Sequence, residues 1–164
     1  MKSDIGVQIA ADYLKHVLNC REVKVNVKAG ADGAAIDAMG VSGRKIYLCV
    51  VAVHLNGIMR GSGGVLVKRF NKIAKFVSAY YPKKKPVYMF WAPVAKGGRG
   101  GCLAELDGAV CALKNGGINL ELLVNRSFAE RLRALKAVAS AKTFEIKSPV
   151  MALFQIESRA NNAA

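Results

Sequence analysis

The sequence predicts an α/β domain, a mixed β-sheet flanked by helices, and three observations carry that prediction. A nearly unbroken apolar run through Lys45 to His54 has the length and composition of a strand buried on both faces. Leu66, Phe70, Ile73, Val77 and Tyr80 recur at intervals of four, three, four and three, the spacing of an amphipathic helix. Segments of these two periods alternate along the chain, as an α/β architecture requires. With 164 residues there is room for one domain, expected over 1–160 with 161–164 as a frayed tail. A domain of this size buries roughly 70% of its unfolded surface.

The elements follow in order. Ile5, Ile9, Ala10, Tyr13, Leu14 and Val17 predict a first helix with Ser3 as its cap. Val23, Val25 and Val27 alternate and place one side of a first strand over Glu22 to Lys28. After the AGADGA turn, Ala34 to Val41 forms a second strand, and Ser42-Gly43 turns it into the apolar third. The loop NGIMRGSGG leads to the helix Val65 to Tyr81, which Pro82 stops. Val87 to Trp91 is a strand, the glycine loop KGGRGG precedes a weak helix near Leu103 to Leu113, and Ile118 to Val124 is the last strand. Ser127 to Ala139 is a helix with Phe128, Leu132, Leu135 and Val138 inward. Ser148-Pro149 has the cap-plus-first-residue form of a final helix start.

Composition excludes a disordered, collagen-like or coiled-coil chain, since 52% of residues are apolar and 22% charged. No window approaches 18 apolar residues, and Asp4 and Asp12 interrupt the N-terminal apolar stretch, so a cytoplasmic protein with no membrane span is expected. Cys20, Cys49, Cys102 and Cys111 lack CxxC spacing, which argues against disulfides and a zinc site. Cys49 lies inside the apolar run, a poor position for a nucleophile.

The charge is the least ordinary property. Twenty-five Lys and Arg against 11 Asp and Glu give +14, an excess suited to polyanions rather than to a small metabolite. Over residues 38–104 the count is twelve basic to no acidic: Arg44, Lys45, Arg60, Lys68, Arg69, Lys72, Lys75, Lys83, Lys84, Lys85, Lys96 and Arg99. Arg44 and Lys45 aside, these form the expected nucleic-acid face, with Lys68, Lys72 and Lys75 as a stripe on one helix. Amides of the glycine loops either add anion donors or serve only as turns. Such a surface gives affinity without sequence preference. Tyr80, Tyr81, Tyr88 and Trp91 lie near these lysines, where an aromatic ring stacks on unpaired bases. The spacing favours the core instead for Tyr80 and Trp91. Neither RGSGG nor KGGRGG continues into GK[ST], so a phosphate-binding P-loop is not predicted.

ADYLKHVLNC, VKVNVKAG, AAIDAMGV, KIYLCVVAVHLNGI, VYMFWAPV, ELLVNRSFAERLRAL and MALFQIE together resemble a family of small bacterial proteins of the restriction-endonuclease-like, or PD-(D/E)xK, nuclease superfamily. The resemblance implies a restriction-endonuclease-like sheet in which an Asp on one hairpin strand and a Glu and Lys on the next serve a Mg²⁺-dependent phosphodiester hydrolysis. Mapped onto this chain, the Asp is Asp37, the Glu position is Val50 and the Lys position is Ala52. Ala35 and Gln8 stand at two further positions where the family often has acids. Four of five polar positions are thus emptied, and His54 is the remaining candidate beside Asp37. Asp32 is read as a turn residue and His16 as a surface residue.

The expected function is therefore a catalytically degenerate nuclease-like domain that binds DNA or RNA through its basic face, with no cofactor. One alternative is a metal-dependent nuclease in which Asp37, a relocated acid and His54 use Mg²⁺. The other is a homodimeric protein-interaction module that does not bind nucleic acid.

Overall fold

The computed structural model describes residues 4–30, 33–52, 62–98, 101–142 and 147–163. Within them five strands, β1 (Glu22–Ala29), β2 (Ala34–Ser42), β3 (Lys45–Val51), β4 (Lys85–Ala92) and β5 (Leu120–Val124), form one sheet in chain order. β1, β2 and β3 are an antiparallel meander, and β4 and β5 add parallel to β3. The fold is thus α/β with a mixed sheet. The helices are α1 (Ile5–Asp12), which continues as a π-helical turn over Tyr13–Val17, α2 (Ser62–Tyr80), α3 (Leu103–Asn115), α4 (Arg126–Ala141) and α5 (Pro149–Ala163). No helix of the described residues is long and apolar enough to cross a membrane.

Two cores sandwich the sheet. On one face Ile46, Leu48 and Val50 of β3 and Tyr88, Phe90 and Ala92 of β4 meet Leu66, Phe70, Ile73 and Val77 of α2 and Leu106, Ala109 and Leu113 of α3. On the other, Cys49, Met89, Trp91 and Leu123 meet Tyr13 and Leu14, with Phe128 of α4 at the margin. A third cluster joins α4 to α5 through Leu135, Ala139, Val150, Met151 and Phe154. The 3.6-residue spacing in α2 and the unbroken apolarity of β3 are therefore both explained by burial, on one side and on two.

Several local expectations change. Asp4 caps α1, its carboxylate accepting from the Gly6 amide at 2.9 Å, and Ser3 lies outside the described residues. Gly43-Arg44, not Ser42-Gly43, is the two-residue turn between Ser42 and Lys45, because Gly43 supplies the positive φ of 55° at the first turn position. β4 begins at Lys85 and β5 at Leu120. Helix α5 starts at Pro149, as its sequence form predicts, and runs to Ala163, through the residues expected as a tail.

The larger surprise lies in β1 and β2. Val23 packs on the α1 face, yet Val27 and Ala29 pack on the α2 face. In β2, Ile36 faces α2, and so does Met39, three residues on, with Ala38 opposite. Both strands thus exchange faces at one step, between Val25 and Val27 and between Ile36 and Ala38. The backbone reason is Asn26, whose φ of 54° breaks the two-residue alternation. One displaced residue in each strand keeps the register intact on both sides, Val25 opposite Ala38 and Val27 opposite Ile36. The expectation of one valine face along β1 fails for this reason.

Candidate nucleic-acid interface

Asp37 is the β2 residue at this exchange of faces, where β2 also parts from β3: the last paired positions are Ala38 and Cys49. The Ala52 amide donates to Trp91 of β4, so the preceding amide, Val51, points toward β2. No β2 backbone carbonyl is in register to receive it. The Asp37 carboxylate does so instead, Oδ2 accepting from Val51 N at 2.7 Å. The same oxygen accepts from Arg69 of α2 at 2.9 Å, and the pair is largely buried, with 16% of the Asp37 side chain and 26% of the Arg69 side chain exposed. Arg69 also donates through Nε and its terminal nitrogen to the Ala35 carbonyl, at 2.8 and 2.5 Å. One guanidinium thereby satisfies both the carboxylate and a carbonyl left over where the strands diverge.

This arrangement does not fit a divalent cation. A Mg²⁺ ion needs near-octahedral oxygen ligation, usually including one or two carboxylates. Val50 is buried in the α2-side core and Ala52 is half-buried, so neither offers a donor. The Asp37 oxygen that faces the gap is held by an amide and a guanidinium. Among the described residues no group of three or more His, Cys, Asp and Glu side chains gathers as a metal set. His54, Arg60, Arg99 and Asp32 lie outside the described residues.

The other predicted contact residues lie on separate elements rather than in one spot. Lys68, Lys72 and Lys75 are all exposed on α2, on the side away from its buried stripe. Lys83 and Lys85 are exposed just before and at the start of β4, while Lys96 is exposed beyond its end. Eight residues of strand separate the two groups by roughly 25 Å. On α2 the row from Lys68 to Lys75 covers about 10 Å of the helix. Lys84 differs from its neighbours: its ammonium donates to the Gly43 carbonyl at 2.7 Å and secures the β2–β3 turn. Arg69, as described, is engaged by Asp37 and the Ala35 carbonyl.

Two amides close the segment after β4 on itself. Gly101 N donates to Gly98 O at 3.1 Å and Leu103 N to Lys96 O at 3.1 Å. A Cβ on Gly101 would stand 2.1 Å from the Lys96 oxygen, so glycine is needed for the turn to close. The Gly101 amide is thus used in a turn, and Arg99 and Gly100 lie outside the described residues. Asn125 fastens the same region to β5, its side chain accepting from Ala95 N at 2.8 Å and donating to Ala95 O at 2.9 Å.

The aromatics separate cleanly. Tyr88 and Trp91 are buried and Tyr81 is half-buried, whereas Tyr80 is 68% exposed, contrary to its expected place in the apolar stripe. The helix stripe ends at Val77, and Tyr80 lies tilted on Phe76 with ring centroids 4.9 Å apart. Cys49 is fully buried and its thiol pKa is pushed far up by desolvation, as its place in the apolar run implies.

Sequence reasoning missed a polar junction between the first and last thirds of the chain. Asp12, buried at the end of α1, accepts from the Ser148 hydroxyl, which also stands at the start of α5. Burial holds the Asp12 carboxyl above the usual carboxylate range, although Ser148, His16 and Lys15 oppose that shift. His16 is half-buried rather than superficial, with Nδ1 3.4 Å from the Lys142 ammonium. Burial, then Lys142 and Lys15, lower its pKa, with Asp12 pulling the other way. The only signal for this was the Ser148-Pro149 pair, which identified the helix start but not its distant partner.

No family model, curated protein or solved structure matches this chain.

Proposed function

We propose that the protein is a nucleic-acid-binding domain on a restriction-endonuclease-like scaffold whose nuclease chemistry has been replaced by a structural ion pair. The observation that carries the reading is the exposed row Lys68, Lys72 and Lys75 on α2, set in a segment, 38–104, without one acidic side chain. The Asp37 carboxylate on the neighbouring β2 strand is paired with Arg69, so its charge is compensated within the fold. Release of counterions from a phosphate backbone then drives binding without regard to base sequence.

The nuclease-like part of the reading is supported by position. Asp37 stands on a hairpin strand beside β3, which carries Val50 and Ala52 where the resemblance implies a glutamate and a lysine. Hydrolysis would need a metal-activated water and a second acid beside Asp37. The core-facing Val50 and the Arg69 guanidinium stand in those places.

Titration of labelled duplex and single-stranded DNA and RNA at two salt concentrations, with EDTA present, tests the proposal. Submicromolar binding at moderate salt with a steep negative salt dependence is the expected result. Absence of binding to any of the four probes at low salt would overturn it.

A further inference from the structure

The basic row of α2 borders one feature that phosphate binding does not require. Ala29 and Gly30, at the end of β1, and Lys72, Lys75, Phe76, Ala79 and Tyr80 of α2 enclose an open groove of about 360 Å³. Its walls are largely apolar, yet two lysines stand over it. At its end stands Tyr80, a residue 68% exposed, and Phe76 packs against its ring. Gly30 leaves the rim low, since a Cβ there would meet nothing within 4 Å.

Resting on the nucleic-acid reading above, we infer that this groove takes an unpaired base, stacked on Tyr80, with the adjoining phosphates on Lys72 and Lys75. The strand is thus single, or locally unpaired. A duplex keeps the faces of its bases stacked on one another and presents only edges and phosphates, which the lysines alone would hold. A splayed base offers a π face, and every base has one, so the ring adds affinity for unpaired strands without choosing a sequence. The charge argues for the same occupant. The α2 side of the groove carries Lys72 and Lys75 beside its apolar walls, and an apolar, uncharged partner would desolvate the Lys75 ammonium without offering it an anion. Phe76 matters as a support: a tilted aromatic neighbour limits the orientations of the Tyr80 ring before any ligand arrives, which lowers the ordering cost of stacking.

The test compares an oligothymidine, an abasic strand of equal length and a duplex by fluorescence anisotropy, for the native protein and for Tyr80→Ala, Tyr80→Phe and the triple variant Lys68→Glu, Lys72→Glu, Lys75→Glu. The native protein should prefer the oligothymidine to the abasic strand. Tyr80→Ala should weaken the oligothymidine complex by roughly 5- to 150-fold, the range for loss of one stacked base. Its duplex affinity should not change, and Tyr80→Phe should bind as the native protein does. The exposed position of Tyr80 lets these variants fold. If Tyr80→Ala binds the oligothymidine normally, or loses both probes equally, the stacking inference is wrong and the nucleic-acid reading stands. If the native protein binds no probe, both fail together.

Discussion

Asp37 should behave as a structural residue when it is removed. Asp37→Ala deletes the acceptor of the Val51 amide, 2.7 Å away, and one partner of the Arg69 guanidinium, 2.9 Å away. An amide left unpaired inside a fold costs about 1–3 kcal/mol. The ion pair adds less than a fully buried one, because 26% of the Arg69 side chain is exposed and Arg69 keeps the Ala35 carbonyl; a further ~1 kcal/mol is reasonable. The total of about 2–4 kcal/mol corresponds to roughly 4–16 °C in Tm for a domain of this length. Asp37→Asn retains an oxygen for Val51 and should cost no more than about half as much. Arg69→Ala should cost about 1–2 kcal/mol, and the double variant should show a coupling near 1 kcal/mol. Urea denaturation followed by far-ultraviolet circular dichroism measures all four. The sign separates two kinds of carboxylate. A catalytic acid is commonly held at some expense to stability, so its loss is neutral or stabilising. A stabilised or unchanged Asp37→Ala protein would refute the account given for the gap between β2 and β3.

Four further outcomes follow from the same geometry. Reversing Lys68, Lys72 and Lys75 to glutamate should weaken binding to all sequences alike and make the slope of log affinity against log salt about 2–3 units shallower; unchanged salt dependence would place the interface elsewhere. His16 has a lowered pKa in the fold, so the unfolded chain binds the extra proton more readily and stability falls as pH drops below about 6.5 toward the folded value. His16→Gln should flatten that part of the profile, measured as Tm against pH. Asp12 has a raised pKa, so stability falls as pH rises from the ordinary carboxylate range through the higher folded value, and Asp12→Asn should abolish that fall while still accepting from Ser148. Of the four thiols only Cys111 is exposed, so a thiol reagent should modify one cysteine rapidly in the native protein and four after denaturation.

What the sequence disclosed, and what it concealed, divides by range of interaction. The stripe of α2 and the double-sided burial of β3 are written in neighbouring residues, and a repeat of 3.6 or a run of apolar side chains is enough to read them. The face exchange in β1 is not, since Val23, Val25 and Val27 alternate as any half-buried strand does. Only the left-handed Asn26 and the partner strand reveal that the third valine turns to the other core. The candidate site fails to show for a related reason. Asp37 and Arg69 are 32 positions apart, and Arg69 reads as one more cation in the basic segment until the helix is laid across the sheet. Lys84 is likewise indistinguishable from Lys83 and Lys85 in sequence, yet it alone of the three is tied to the Gly43 carbonyl. Tyr80 fits the helical stripe by spacing and still emerges into solvent, because α2 has passed the last core residue, Val77, one turn earlier.

The kink at Asn26 bears on how molecules of this protein meet one another. β1 is an edge strand, and an edge strand displays a row of unused amides and carbonyls that a strand from another molecule can copy. Here the row is broken at its middle, where the backbone of Asn26 leaves the extended region, and Lys24 and Lys28 stand on either side of the break. An incoming strand finds three or four residues in register and then a mismatch, too short a template for a growing cross-β stack. The distortion that turns Asp37 toward Val51 thus also works against further growth of the sheet at its β1 edge.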